Sequence, residues 1–129
     1  MTPNQISKYS KLTTTRLKKK AQEVFNKWVR NRDKDQPCIN CGRFTKLQAG
    51  HFYATSTHPN IRFEESNVNG ECLHCNYFNS QSHAHGYRPN LEKKIGLESL
   101  KKLDNLASQR GATKDNRFYF IEIIEKYKL

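Results

Sequence analysis

The amino-acid sequence predicts an α+β fold in which a small core, held together by cysteines, is flanked by a basic N-terminal helix and by C-terminal helices. Apolar residues recur at helical spacing in residues 15–35 and again in residues 83–129. The stretch between them, residues 36–82, is rich in turn residues and contains two pairs of cysteines. With 129 residues the chain fits one domain, which we place at residues 15–129.

The composition indicates a nucleic-acid-binding protein with a thin core. Lys+Arg number 23 against 12 Asp+Glu, which gives a formal net charge of +11, and the excess is largest in residues 1–35. Only 35% of residues are hydrophobic, so the core needs an added cross-link. No apolar run is long enough to cross a membrane, and the polar N-terminus predicts a cytoplasmic protein.

The N-terminal part predicts a flexible arm followed by a basic helix. Residues 1–14 have no apolar periodicity, which is typical of a loose basic arm. From about Arg16 to Arg32, apolar residues recur every three or four positions, as on one face of a helix. The other face is basic and either contacts nucleic-acid phosphates or is simply solvated. Its basic residues are Lys18, Lys19, Lys20, Lys27 and Arg30.

The middle of the chain predicts two short strands and a helix. Glycine and asparagine interrupt this segment, and the strands are predicted near Phe44–Tyr53 and Ile61–Gly70. A helix is predicted to begin around Leu73.

Three helices are predicted in the C-terminal part. The first spans Pro89–Ile95 and ends at Gly96, and the second is marked by leucines at 97, 100, 103 and 106 and ends at Gly111. Thr113 is predicted to cap the last helix, which carries Phe120, Ile121, Ile124 and Tyr127.

Two CxxC pairs predict a structural zinc site. They are Cys38 with Cys41, and Cys72 with Cys75, and the two-residue spacer lets both sulfurs of a pair point at one ion. Gly42 suits the positive φ of the tight turn after the first pair. Four thiolates fill the tetrahedron, so the zinc would stabilise the fold and leave no position for water. A redox CxxC is disfavoured because no βαβ pattern surrounds it, and unligated buried thiols are rarer still.

A histidine and two asparagines complete the pattern within this cysteine frame. The chain order is CxxC, His51, Asn67, and then CxxC followed at once by Asn76. This order resembles the HNH (ββα-metal) nuclease motif. A closer resemblance, over about residues 37–97, is to the phage NinG (Rap) recombination endonuclease family. The motifs that carry it are Ala49-Gly50-His51-Phe52, His58-Pro59-Asn60-Ile61-Arg62-Phe63, Glu65, Asn67, Cys72, Cys75-Asn76, Leu91 and Lys94-Ile95-Gly96.

The resemblance implies a small ββα-metal core and a structure-selective endonuclease that acts on branched DNA, including Holliday junctions, during phage recombination. His51 is then the general base, a role that suits an imidazole with a pKa near ~6.5. Asn76 offers an amide oxygen to a catalytic Mg²⁺, or Mn²⁺, although it could instead cap a helix. Asn67, by carry-over from the motif, orients the loop that holds His51.

Gly50 departs from the HNH pattern, since many such enzymes have a metal-ligating Asp or His directly before the base histidine. Glu65 is the candidate for the missing ligand. Ser80, His83 and His85 are poorer candidates, because a hydroxyl one turn after Asn76 and imidazoles suit Mg²⁺ less well.

Several other residues have more than one interpretation. Ser82 and Gly86 favour an exposed loop around the two histidines at 83 and 85 over a metal site. His58, before a proline, is interpreted as a turn residue, and His74 as facing solvent. Arg62 could clamp a phosphate or pair with Glu64.

The sequence therefore predicts a zinc-stabilised, Mg²⁺-dependent endodeoxyribonuclease that acts in the host-cell cytoplasm if the gene belongs to a phage. The alternatives are a zinc-containing DNA-binding module that does not cut, and an HNH nicking enzyme for ordinary duplex DNA or RNA. Symmetric cutting of a junction needs two active sites, so a homodimer through the C-terminal helices is also expected.

Overall fold

The computed structural model describes residues 1–77, 83–109 and 115–129, with only the backbone described for residues 83–85. This part of the chain forms a mixed α+β fold, as predicted, with one small sheet of two antiparallel strands. None of its helices has the length and apolar character needed to cross a membrane. The elements are α1 (Pro3–Lys8), α2 (Thr14–Arg32), β1 (Leu47–His51), β2 (Val68–Cys72), α3 (Leu73–Tyr77), α4 (His83–Ile95), α5 (Leu97–Ser108) and α6 (Arg117–Tyr127).

The long helix α2 organises the first hydrophobic core. Its apolar stripe packs against α6 and against one face of the strands. The ring of Phe25 meets that of Tyr127 edge to face, with centroids 4.7 Å apart. The helix begins where the Thr13 side chain accepts a hydrogen bond from the Arg16 amide. The stripe comprises Leu17, Ala21, Phe25 and Val29.

The N-terminus differs from the flexible arm that the sequence predicts. Thr2 and Gln5 form a capping box that starts α1. Tyr9, directly after this helix, is only 2% exposed and belongs to the core of α2 and α6. Arg117 donates hydrogen bonds of 3.2 Å to the carbonyls of Tyr9 and Leu12. The sequence lacks periodicity here because one aromatic side chain and backbone contacts hold the segment.

The two strands form a hairpin that is shorter than predicted. The register pairs Leu47 with Cys72 and His51 with Val68. The second predicted strand, Ile61–Gly70, is wrong over its first part, because Pro59–Ile61 and Glu65–Asn67 form 3₁₀ turns. Backbone hydrogen bonds from the Asn67 amide to the Glu64 carbonyl and from the Glu64 amide to the Ile61 carbonyl close these turns locally. The long connection between β1 and β2 is therefore a folded loop.

The C-terminal helices build a second hydrophobic core beside the hairpin. Tyr87 and Leu91 of α4 pack there with Leu100 and Leu103 of α5 and with Ile61. The exposed loop expected around positions 83 and 85 is wrong, because α4 begins at His83 and continues through Pro89. Pro89 is the seventh residue of this helix, and its ring nitrogen cannot donate the usual hydrogen bond to the carbonyl four residues earlier.

The predicted helix boundaries are met in part. Gly96 has a φ of +88° and separates α4 from α5, as predicted. The expected stop at Gly111 and the cap at Thr113 lie outside the described residues. Where the structure resumes, the Asn116 side chain caps α6 by accepting a 3.0 Å hydrogen bond from the Tyr119 amide.

A buried carboxylate joins three elements near the hairpin. Asp33, only 2% exposed, follows α2 and forms ion pairs of 2.8 Å with Arg32 and 2.9 Å with Lys94 of α4. It also accepts a 2.8 Å hydrogen bond from the Gly70 amide of β2. Burial opposes ionisation of Asp33, but these donors outweigh it and hold its pKa below the usual value. Asp33 therefore fixes α2, β2 and α4 relative to one another.

Replacing Asp33 by alanine is expected to lower the free energy of unfolding by about 3 kcal/mol, because Lys94 and the Gly70 amide lose a buried partner. Urea unfolding measures this loss, with the exposed Asp35→Ala as the control, expected within about 0.5 kcal/mol of wild type. The contribution is present above pH ~4 and fades as pH falls through the lowered pKa of Asp33. Equal stability of the two variants would contradict this role.

Candidate metal centre and histidine site

The four cysteines meet at one point, as their spacing predicts. The Sγ atoms of Cys38, Cys41, Cys72 and Cys75 all lie within 4.8 Å of one another. The Sγ atoms of Cys41 and Cys72 are 3.8 Å apart. Four thiolates around one zinc at bond lengths of about 2.3 Å have sulfur–sulfur distances of roughly 3.8 Å. The cluster could therefore hold a metal ion such as zinc.

Backbone amides support both pairs of sulfurs. Cys38 Sγ accepts hydrogen bonds from the amides of Cys41 at 3.5 Å and Cys72 at 3.3 Å, and Cys72 Sγ accepts one from the Cys75 amide at 3.5 Å. Such donors stabilise thiolate charge. Gly42 has a φ of +78°, which confirms the tight turn predicted after the first pair. The cluster ties the segment before β1 to the junction of β2 and α3.

His51 ends β1 and is oriented by a carbonyl from the loop between the strands. Its Nε2 lies 3.0 Å from the Arg62 carbonyl oxygen. A carbonyl can only accept, so in the neutral ring Nε2 carries the proton and Nδ1 carries the lone pair. Burial, with the positive charge of Arg62, lowers the pKa of His51 below 6.5. At neutral pH the ring is uncharged, which is the state that can accept a proton.

Asn67 holds that loop in place. Its side chain is fully buried, and its Oδ1 accepts a 2.8 Å hydrogen bond from the Tyr53 amide. Its Nδ2 donates to the carbonyls of Tyr53 at 3.1 Å and Ile61 at 3.2 Å. Because Ile61 directly precedes Arg62, these bonds fix the carbonyl that orients His51. Asn67 thus has the contacts of a positioning residue.

Asn76 lies on α3, beside the other end of the hairpin from His51. Its Nδ2 donates a 3.1 Å hydrogen bond to Gln48 Oε1, near the start of β1. Gln48 and His51 are three residues apart on an extended strand, a separation of roughly 10 Å. Asn76 lies in the last turn of the short helix α3, so the alternative that it caps this helix at its start is not observed.

The structure does not bring Glu65 and Asn76, the two predicted metal ligands, together. Glu65 precedes β2 and Asn76 follows it, so the strand separates them. The carboxylate of Glu65 instead accepts a 2.7 Å hydrogen bond from the Tyr127 hydroxyl of α6. The fold uses Glu65 to attach the C-terminal helix to the loop before β2.

The basic residues of α2 fall into two groups. Lys20, Lys27 and Arg30 are exposed at spacings that share one helical face, with Lys19 beside them. Lys18 points elsewhere and lies 3.4 Å from Asp115. A surface pocket joins this face to the hairpin. Its lining includes Asn26, Arg30, Lys46, Gln48 and Asn76.

Lys46 and Gln48 were missed by the sequence analysis. Lys46 is exposed directly before β1, and no motif marks either residue. Their place in the pocket depends on how α2 packs against β1, which local sequence patterns do not reveal.

The remaining predicted residues have ordinary surroundings. The Nδ1 of His58 lies 2.8 Å from the Thr57 hydroxyl, which fits a turn residue, and His74 is exposed. No ion pair joins Arg62 to Glu64, although both residues are described, and the buried Nε of Arg62 has no hydrogen-bond partner among the described residues. The side chains of His83 and His85, and all of Ser80 and Ser82, lie outside the described part.

Comparison with known proteins identifies the family. A family model described as "Bacteriophage Lambda NinG protein" matches residues 4–129. The chain belongs to the NinG family. This match confirms the family resemblance carried by the histidine, asparagine and cysteine motifs, and it extends that resemblance to both ends of the chain. No solved structure matches the chain.

Curated NinG proteins of several phages are similar to this chain over 89 residues. Protein ninG of Escherichia phage 933W and that of Escherichia phage lambda are each 38% identical, and that of Salmonella phage P22 is 37% identical. The match covers 67% of this chain and 43–44% of these relatives. The chain thus matches less than half the length of the NinG proteins it resembles.

Proposed function

We propose that this protein is a divalent-metal-dependent DNA endonuclease that hydrolyses phosphodiesters in branched DNA, with a structural zinc ion on its four cysteines. The observation that carries the proposal is His51, whose Nε2 proton is directed to the Arg62 carbonyl while Asn67 fixes that loop. A neutral imidazole held in one orientation is what a general base for phosphodiester hydrolysis requires.

In this mechanism Nδ1 of His51 takes the proton of the attacking water. The bond from Nε2 to the Arg62 carbonyl keeps the ring in the required tautomer and stabilises the imidazolium once it forms. A bound Mg²⁺ or Mn²⁺ would supply positive charge for the phosphate and the leaving oxygen. The amide oxygens of Asn76 and Gln48 are hard donors that fit such an ion.

The zinc ion has a structural role in this proposal. Four thiolates complete its coordination, so it holds α3 against β1 and thereby positions Asn76. Salt-sensitive contacts from Lys20, Lys27 and Arg30 would hold the DNA backbone. The preference for branched DNA rests on the resemblance to the NinG (Rap) family, and symmetric cutting would require two copies of the chain.

A second candidate is a zinc-containing module that binds DNA without cutting it. It is favoured by one observation: Asn76 contacts Gln48 and lies away from His51, and Gly50 offers no side chain to a metal ion. Such a module needs zinc alone, whereas the endonuclease needs a second, exchangeable ion.

The test is a cleavage assay with the zinc-loaded protein on a synthetic four-way junction beside a linear duplex of matched sequence, each with Mg²⁺ and without an added divalent ion. We expect cleavage of the junction only, and only with Mg²⁺. Equal cutting of the duplex would favour an HNH nicking enzyme for ordinary DNA. A protein that shifts both DNAs in a gel but cuts neither with Mg²⁺ or Mn²⁺ would be the binding module.

A further inference from the structure

A buried carboxylate occupies the space of the side chain that Gly50 lacks. Glu71 lies on β2 and is fully buried. A Cβ atom built on Gly50 would lie 2.3 Å from Glu71 Oε1 and 2.8 Å from Glu71 Cβ, far closer than such contacts allow. Residue 50 must therefore be glycine for Glu71 to keep this position.

The surroundings of Glu71 are rich in amide groups. Glu71 pairs with Gln48 in the strand register, so these two side chains share one face of the hairpin. Gln48 in turn accepts the hydrogen bond from Asn76, and Asn40 Nδ2 donates to Glu71 Oε2 at 3.4 Å. A buried carboxylate and three side-chain amides thus converge on one face.

Helix α4 packs against this group of side chains. A Cβ atom on Gly86 would lie 2.2 Å from the Asn40 carbonyl oxygen, so the helix backbone packs directly on Asn40. The Tyr87 hydroxyl donates a 2.5 Å hydrogen bond to the Gly50 carbonyl. These contacts fix the Gly50 backbone and Asn40, as a preorganised ligand set requires.

We propose that Glu71 is the carboxylate ligand of the exchangeable divalent cation, in place of a side chain at position 50. This inference rests on the proposed function. A carboxylate oxygen together with the side-chain oxygen of Gln48, which shares its face of the hairpin, is a donor set that suits Mg²⁺ and Mn²⁺. Gly50, which departs from the HNH pattern, then makes room for Glu71, the carboxylate that replaces the usual ligand at position 50.

The position of Glu71 also fits a role beside His51, the proposed general base. Gly50 immediately precedes His51, so the Glu71 carboxylate lies beside the residue next to the proposed base. Side chains of adjacent strand residues point to opposite faces, so a phosphodiester served by both groups would cross β1 at its His51 end.

The direct test is Mn²⁺ binding to the zinc-loaded protein without DNA, followed by the electron paramagnetic resonance signal of free Mn²⁺. Wild type should bind one Mn²⁺, and Glu71→Gln should weaken that binding at least tenfold. Zinc content, melting temperature and the DNA gel shift without added Mg²⁺ or Mn²⁺ should stay unchanged. The control is Glu92→Gln, a matched loss of one negative charge at an exposed position of α4.

The alternative outcomes are distinct. If wild type and Glu71→Gln bind Mn²⁺ equally, the assignment to Glu71 is overturned while the endonuclease proposal stands. If wild type binds no Mn²⁺ and cuts no junction, both fall. Should Glu71→Gln fail to fold, Gly50→Ala provides a second measurement, since its methyl group displaces the carboxylate. Unchanged Mn²⁺ affinity in folded Gly50→Ala would also overturn the assignment.

Discussion

Replacing Cys72 by serine is expected to abolish stoichiometric zinc binding and the cooperative unfolding of the hairpin region. Cys72 is buried, its Sγ lies 3.8 Å from that of Cys41, and its backbone belongs to β2 opposite Leu47. Structural zinc sites contribute roughly 10 kcal/mol or more to folding, which is comparable to the whole stability of a small domain. The hydrophobic contacts beside the cluster cannot replace this contribution, because that small core contains, among the described residues, only Leu47 beside Cys38, Cys72 and Cys75.

Zinc content by atomic emission and thermal unfolding by circular dichroism measure this effect. Thr45→Ser, at an exposed position of the same segment, is a control that should keep both properties. Chelation of wild type should reproduce the behaviour of the Cys72 variant, and added zinc should reverse it. A Cys72→Ser protein that binds one zinc ion and unfolds at the same temperature as wild type would show that the four-cysteine site does not stabilise this fold.

The features that sequence predicted well depend on local spacing. A CxxC pair brings its own two sulfurs together, and α2 shows its buried stripe through steps of three and four residues. Gly42 and Gly96 were identifiable because both adopt positive φ, which glycine tolerates best. Each of these signals is contained in a few consecutive residues.

The features that sequence did not predict depend on contacts across the chain. Tyr9 is held in place by contacts with α2 and α6. One of these contacts comes from Arg117, which lies more than a hundred residues further along the chain. Glu65 has the residue type of a metal ligand, but its carboxylate accepts a hydrogen bond from Tyr127 of the last helix. In the sequence, Glu71 is an ordinary polar residue next to a cysteine. Only the strand register shows that its side chain packs against Gly50. Such pairings follow from packing and register, which one sequence does not reveal.

His51→Ala is expected to reduce junction cleavage by about 10²–10⁴-fold, the usual contribution of a general base. His51 is not part of the zinc cluster, of the Asn67 hydrogen bonds or of the basic face of α2. Zinc content and the DNA gel shift should therefore be retained. His74→Ala is the matched control, because it removes an exposed imidazole next to Cys75 without touching the loop between the strands.

The pH dependence of cleavage gives a second measurement of the same role. Burial lowers the pKa of folded His51 below 6.5, so the neutral base is already present at neutral pH. The cleavage rate of wild type should therefore rise with pH through an apparent pKa below 6.5 and level off by about pH 7. His51→Ala should lose this acidic limb together with the rate, whereas His74→Ala should keep both. Full activity of His51→Ala, or a limb that persists in it, would assign the base to another residue.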